Sequence, residues 1–360
     1  MPQQQIDDRE VNEPWLTLPL ALSPEAERLT GADFAPMLYV AAEQRYIKLS
    51  PGAARLVDAL DGGTTAAEIL AGVSGDGDPG LAARRRDAVL RTLDSLRRAG
   101  AFTLARGTGA TSAVPGWRRR LAQPPRVRFT SGIGALVARP AALVARHPRA
   151  SRIVLAALAL ASLALCLAGG LRFARPSAVV WPVVAAAILF EVAVHELAHA
   201  TVCRVYGIRA REAGVMLWGW FLPLAYVDCT DIYRLPGRRP RILVALAGPY
   251  VDLVAAGAFA AVALTGSGAA AGTAWVVFLS LVLMLARNLT PLLPTDGYHA
   301  LEAATGELNL RRRAWRQLRA APRTRRERVY AAYAAITAAY TVAMVALVLI
   351  ELRAVVRLLG

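Results

Sequence analysis

Five apolar runs, at 153–171, 178–205, 242–264, 273–289 and 329–350, constrain this chain more than any other feature. Crossing hydrocarbon takes a helix of roughly 20 residues, and all five come close to that, the fourth only just. A bilayer offers no water to bare N–H and C=O groups, so such runs must be helical. At 56% hydrophobic over 360 residues, the chain suits a polar domain joined to a membrane bundle better than it suits an ordinary soluble enzyme. The predicted fold is mostly α: a polytopic bundle of about five spans over 151–360, preceded by a small α+β domain. One further apolar piece, AGVMLWGWFLPLAYV at 213–227, is too short to span and contains Gly and Pro. It must pack inside protein or line a wet cavity, and reads as a re-entrant hairpin or strand beside the functional residues.

The formal charge of +16 first suggests nucleic acid, but its distribution argues otherwise. Arginines crowd beside the apolar runs, at 118–120, at Arg146, Arg149 and Arg152, at Arg238, Arg239 and Arg241, and between Arg311 and Arg328. Cytoplasmic loops of membrane proteins carry such clusters. Traced from a cytoplasmic N-terminus, every strongly basic loop falls on one side; the loop at 171–176 and the C-terminal tail are exceptions. Membrane lipid is therefore an expected contact and nucleic acid is not. The start, MPQQQIDDRE, lacks the apolar stretch of a secretory signal. Three cysteines without regular spacing do not make a disulfide framework.

Ahead of the spans, residues 1–33 read as a polar arm. Residues 34–106 read as a domain of winged-helix type: short strands at 37–41 and 46–49, helices at 50–60, 66–71 and 81–99, and a closing strand at 101–104. Ser50-Pro51 suits a helix start, Asp61-Gly62-Gly63 a break, Thr64 or Thr65 a cap, and Gly100 a stop. Residues 107–150 read as a linker followed by an interfacial helix.

Chemistry concentrates in the second run, in FEVAVHELAHA. Positions four apart on a helix lie about 40° apart on one face, so His195 and His199 aim two imidazoles at a single ion. Glu196 sits beside that face, placed to act on a water as general base. Zinc suits two such ligands plus a third and an open position. Ionisable groups inside an apolar run are costly, which itself marks them as functional candidates. The third ligand is expected from NLTPLLPTDG, where prolines and glycine break the fourth run and let Asp296 turn inward. Other candidates compete with plainer roles. Glu191 precedes His195 by one turn and can orient it or face water; His299 reads as a surface histidine, Cys203 as a small buried residue, and Asp228 and Asp231 as solvated loop residues or substitute ligands.

HELAH, ALAGPYVD and NLTPLLPTDG occur in the order of the HExxH, AGP and NxxPxxxxDG motifs of the site-2 protease family of intramembrane zinc metallopeptidases. Residues 178–305 resemble that family. The resemblance implies one zinc ion held by His195, His199 and Asp296, Glu196 as general base, and Asn288 near substrate or oxyanion. One departure appears: Asp252 stands where the family usually has Asn. The stretch PLAYVDCTDIYRLPGRRPRILVALAGP further resembles the family's peptide-maturation and export branch, and no PDZ-like insert is apparent. Residues 34–106, through LSPGAARLVDALDGG and LDSLRRAGAF, resemble the PqqD-like domains that bind ribosomally made peptides.

These resemblances imply a membrane endopeptidase that removes the leader of a modified peptide, with that peptide or a membrane protein as substrate. Regulated cleavage of a membrane-anchored signalling protein is the alternative within the same chemistry. A non-catalytic peptide receptor or export factor is the alternative outside it, though such a protein has no need of Glu196.

Overall fold

The computed structural model describes residues 14–30, 35–40, 45–73, 79–104, 126–129, 132–173, 176, 178–218, 222–235, 237–307, 309–317 and 324–359. The first thirteen residues of the expected arm and residues 107–125 of the expected linker lie outside them. The chain divides after Pro124 into two compact units, with the short segment Tyr233–Pro236 belonging to the first.

In the first unit, a 3-10 turn at Pro14–Thr17 leads to β1 (Pro19–Leu22), β2 (Ala26–Thr30), β3 (Pro36–Val40) and β4 (Arg45–Lys48). Helix α1 (Pro51–Asp58), β5 (Asp61–Thr65), α2 (Ala66–Val73), α3 (Pro79–Arg98) and β6 (Phe102–Leu104) complete it. The strands form two antiparallel sheets, ordered β5-β1-β6 and β2-β3-β4.

The expected helix signals operate as physics requires. The Ser50 hydroxyl accepts from the Ala53 N–H at 3.1 Å, while Pro51, which has no N–H to lose, opens α1. Thr65 and Glu68 cap α2 reciprocally: the Thr65 N–H donates to the Glu68 carboxylate at 2.7 Å and the Glu68 N–H to the Thr65 hydroxyl at 3.1 Å. Gly100, at φ +71°, ends α3.

The expected polar arm needs correction. From Pro14 onward it forms the 3-10 turn and two strands, and Trp15, Leu16 and Leu20 are buried in the core with Leu38, Val57, Leu93 and Phe102. The domain therefore starts well before residue 34. The expected break at 61–63 is also a strand, β5, which turns at Gly62 (φ +87°) and pairs with β1.

The second unit opens with β7 (Arg126–Phe129) and α4 (Ile133–Arg146), so the expected linker at 107–150 ends in ordered elements of the membrane unit. There follow α5 (Pro148–Leu171), α6 (Trp181–Val205), β8 (Ala213–Trp218), β9 (Leu222–Val227) and a 3-10 turn at Thr230–Arg234. Next come α7 (Arg238–Ala245), α8 (Ala247–Thr265), α9 (Gly268–Leu289), α10 (Asp296–Thr305), α11 (Leu310–Gln317) and α12 (Arg325–Leu359).

Among the described residues, four helices are long and apolar enough to cross a membrane: α5, α6, the α7–α8 pair and α9. The fifth expected run lies within α12, which begins among arginines and is not one of the four. Ile153, Leu160, Leu189, Phe190 and Leu283 project outward from these helices, as lipid-facing side chains must.

Helix α8 is the hub, packing against α5, α6 and α9. Its contact face is built of small residues, Ala256, Gly257, Ala260 and Ala263, which let backbones approach closely where apolar lipid offers no hydrophobic drive. A Cβ at Gly257 would lie 2.7 Å from the Ser162 Cα of α5. We expect Gly257→Leu to cost about 1–3 kcal/mol by overpacking, read as a lowered Tm in detergent. Gly170→Leu, where added carbon meets nothing within 4 Å, should leave Tm unchanged.

The expected re-entrant piece is a hairpin: β8 and β9 pair antiparallel from Ala213↔Val227 to Trp218↔Leu222. Strand β7 adds to its other edge, pairing Arg126↔Met216 through Phe129↔Ala213. Gly214 permits this, since a Cβ there would lie 2.0 Å from the Val127 carbonyl oxygen. Buried Glu212 ties the sheet together, accepting from the Tyr226 hydroxyl at 2.9 Å and pairing with Arg128 at 3.2 Å.

Candidate metal centre

Helix α6 runs unbroken through the HELAH motif and closes at Tyr206-Gly207. There Gly207, at φ +77°, lets the Ile208 N–H reach back to the Cys203 carbonyl. The four-residue spacing then brings the two imidazoles together, Nε2 to Nε2 at 3.2 Å.

The third member arrives from 101 residues further along. Helix α9 stops at Leu289, the Pro291–Pro294 segment turns the chain, and Asp296 begins α10. Gly297 allows that tight return, because a Cβ there would lie 2.1 Å from the Leu289 carbonyl oxygen. Asp296 Oδ2 stands 3.1 Å from His195 Nε2, and Oδ1 stands 3.5 Å from His199 Nε2. Burial alone would raise the Asp296 pKa. The two histidines beside it outweigh that burial and hold the carboxyl well below the usual carboxylate range.

These three residues could hold a metal ion, and their spacing tests which kind. Donors about 2.0–2.1 Å from a tetrahedral zinc stand roughly 3.3 Å from one another. The two histidine nitrogens stand 3.2 Å apart, and the Asp296 carboxylate faces each of them, through Oδ2 at 3.1 Å and through Oδ1 at 3.5 Å, close to that value. Two imidazoles and one carboxylate are also a donor set that zinc accepts. The residues present fit the ion.

The outer nitrogens fix how the rings present themselves. His199 Nδ1 lies 2.7 Å from the Val244 carbonyl oxygen in α7. A carbonyl only accepts, so Nδ1 carries the hydrogen and Nε2 keeps its lone pair for the ion. His195 Nδ1 lies 2.8 Å from Asp252 Oδ1 in α8, with the same consequence. Gly248, one turn before Asp252, leaves room for the His195 ring: a Cβ there would lie 2.3 Å from Nε2. Glu196 sits beside the pair on α6, next to the Val227 N–H at the end of β9.

Other expected candidates fall elsewhere. Asn288 donates from Nδ2 to Asp252 Oδ2 at 3.2 Å. Glu191 is buried and in hydrogen-bond contact with Asp252, and of the two acids it is Asp252 whose oxygen faces His195 Nδ1. His299 is exposed and faces Glu302, 3.7 Å away. Asp231 is held bidentately by Arg211, at 2.8 and 2.5 Å, and Asp228 caps its own turn by accepting from the Thr230 N–H at 2.8 Å. Cys203 is fully buried as expected, against the Cys229 thiol, which that contact and burial push up in pKa. Sequence reasoning missed Gly248 and the Val244 carbonyl, and it left the role of Asp252 open.

Residues 183–281 match the model of Peptidase family M50, the site-2 protease family. The match contains His195, Glu196, His199, Gly248 and Asp252, and ends before Asn288 and Asp296. An uncharacterized protein of Methanocaldococcus jannaschii is 35% identical over 69 residues, which is 19% of this chain and 19% of that protein. The chain thus spans about a fifth of the curated relative it matches. No solved structure matches. The chain is a multi-pass membrane protein, and its residues 183–281 are similar to the M50 metallopeptidases.

Proposed function

We propose that this protein is an intramembrane zinc endopeptidase that matures a ribosomally made peptide by removing its leader. The observation that carries the peptidase reading is the cluster of His195, His199 and Asp296, close enough together to hold one ion, with Glu196 beside it on a membrane helix. Zinc, when bound, would supply Lewis-acid polarisation of the scissile carbonyl and of the attacking water. His195 and His199 hold lone pairs toward the ion because Asp252 and the Val244 carbonyl occupy their other nitrogens. Glu196 takes the proton of the attacking water as the bond to the carbonyl carbon forms, and returns it to the leaving amine as the peptide bond breaks.

A helical substrate hides its carbonyls, so it must be held extended. Strand β9 has a single ladder partner, β8, among the described residues, and its end lies beside Glu196. Strand addition along β9 would present an extended peptide to the base. What supports the peptide-maturation part is the sequence resemblance of residues 34–106 to PqqD-like domains. In this reading the first unit is cytoplasmic and captures the peptide, which the membrane unit cuts.

The test uses the full chain in detergent micelles with a precursor peptide encoded beside its gene, followed by mass spectrometry. We expect cleavage at one bond, lost with a zinc chelator and restored by added Zn2+. Cleavage indifferent to chelation would overturn the zinc assignment. Cleavage of a single-span membrane protein, but not of the precursor, would replace leader removal with the signalling role.

A further inference from the structure

Asp252 is fully buried beside the centre, with 0% exposure, yet it is not one of the three residues that could hold the ion. A carboxylate in the middle of an apolar bundle is costly unless both oxygens are used. Here they are: Oδ1 faces His195 Nδ1 at 2.8 Å, and Oδ2 accepts from Asn288 Nδ2 at 3.2 Å. The three residues come from α8, α6 and α9, so one acid ties together the three helices around the centre. The two imidazoles are also held differently. His199 rests on the neutral Val244 carbonyl at 2.7 Å, and His195 on a carboxylate. A carboxylate behind an imidazole fixes the ring and makes its far nitrogen a stronger donor.

We propose, resting on the zinc reading above, that Asp252 is the positioning residue for His195 and that Asn288 is the positioning residue for Asp252. The relay runs Asn288 to Asp252 to His195, and sets the direction and donor strength of His195 Nε2. One Asn288 amide hydrogen is spent on Asp252, which fixes its amide plane.

The experiment measures zinc affinity of the full chain in detergent, by competition with a chromophoric chelator, and the absorption spectrum of the cobalt(II)-loaded protein. Asp252→Leu removes the acceptor while keeping the branched shape of the side chain. We expect it to weaken zinc by about 10–100-fold and to shift the cobalt bands. Asp252→Asn, which keeps an oxygen acceptor in place, should fall between wild type and the Leu variant. Asn288→Ala should weaken zinc less than Asp252→Leu, and should add nothing in the Asp252→Leu background, because residues acting in series are not additive.

Wild-type zinc affinity and an unchanged cobalt spectrum in Asp252→Leu would overturn the proposal, as would equal losses in the Leu and Asn variants. Full additivity in the double variant would overturn the Asn288 step. If the Leu variant does not fold, Asp252→Asn and Asn288→Ala decide the matter, both being expected to bind zinc more weakly than wild type. A wild-type chain that binds no zinc would refute the peptidase reading itself. Zinc bound equally by wild type and variants would refute only this relay.

Discussion

Glu196→Gln should abolish cleavage while leaving zinc bound. The carboxylate sits between the two histidines in sequence but takes no part in the triangle of donors, which is complete with His195, His199 and Asp296. Replacing it with an amide of the same size keeps the packing beside Val227 and removes the group that accepts the proton of the attacking water. A positioned general base contributes about 10²–10⁴-fold to rate, and here the same side chain also serves the leaving amine, so the loss should lie toward the upper end. The check pairs two measurements on one sample: turnover of the precursor peptide, and zinc content against wild type. Lost turnover with zinc retained supports the assignment. Turnover within a few fold of wild type would remove Glu196 as the base, and loss of both together would make it a ligand or a structural residue.

The centre was legible in the sequence to the extent that its parts are local. His195 and His199 are four residues apart on one helix, so spacing alone brings them together. Asp296 could be placed because prolines and glycine break the run just before it. The rest was hidden by distance along the chain: Asp252 lies 57 residues from His195, and nothing in the periodicity of α8 says which of its faces meets α6. The Val244 carbonyl carries no side-chain signal at all.

The same physics explains the errors outside the centre. Strand β7 is only RVRF, and β1 only PLAL. Four residues give too short a stretch for alternation to show, and what makes them strands is pairing with distant partners, β8 for one and β5 and β6 for the other. Trp15 and Leu16 sit between prolines and acidic residues that read as a loose arm, yet the first unit's core closes over them. Four of the five long apolar runs were read well because bilayer thickness sets their length without help from tertiary contacts.

Gly248→Ala should cost zinc binding as well as activity, though it alters no ligand and improves the intrinsic helix propensity of α8 by up to about 1 kcal/mol. The added methyl would lie 2.3 Å from His195 Nε2, 2.4 Å from Cε1 and 2.6 Å from Cδ2. The ring cannot give way cheaply, since Nδ1 is bound to Asp252 at 2.8 Å and Nε2 faces Asp296 at 3.1 Å. Either the imidazole turns and abandons Asp252, or α8 moves away from α6 and carries Asp252 with it. Both routes break the contact that holds the ligand, and losing such an outer contact costs about 10–100-fold in metal affinity. The fold should survive, with Tm near wild type, because α8 remains a helix and its packing against α5 and α9 lies further along, at Gly257, Ala260 and Ala263. The comparison is Gly170→Ala, where the added carbon meets nothing within 4 Å and zinc affinity should not change. Equal zinc affinity in the Gly248→Ala and Gly170→Ala variants would mean that His195 does not occupy the place where α8 leaves room for it.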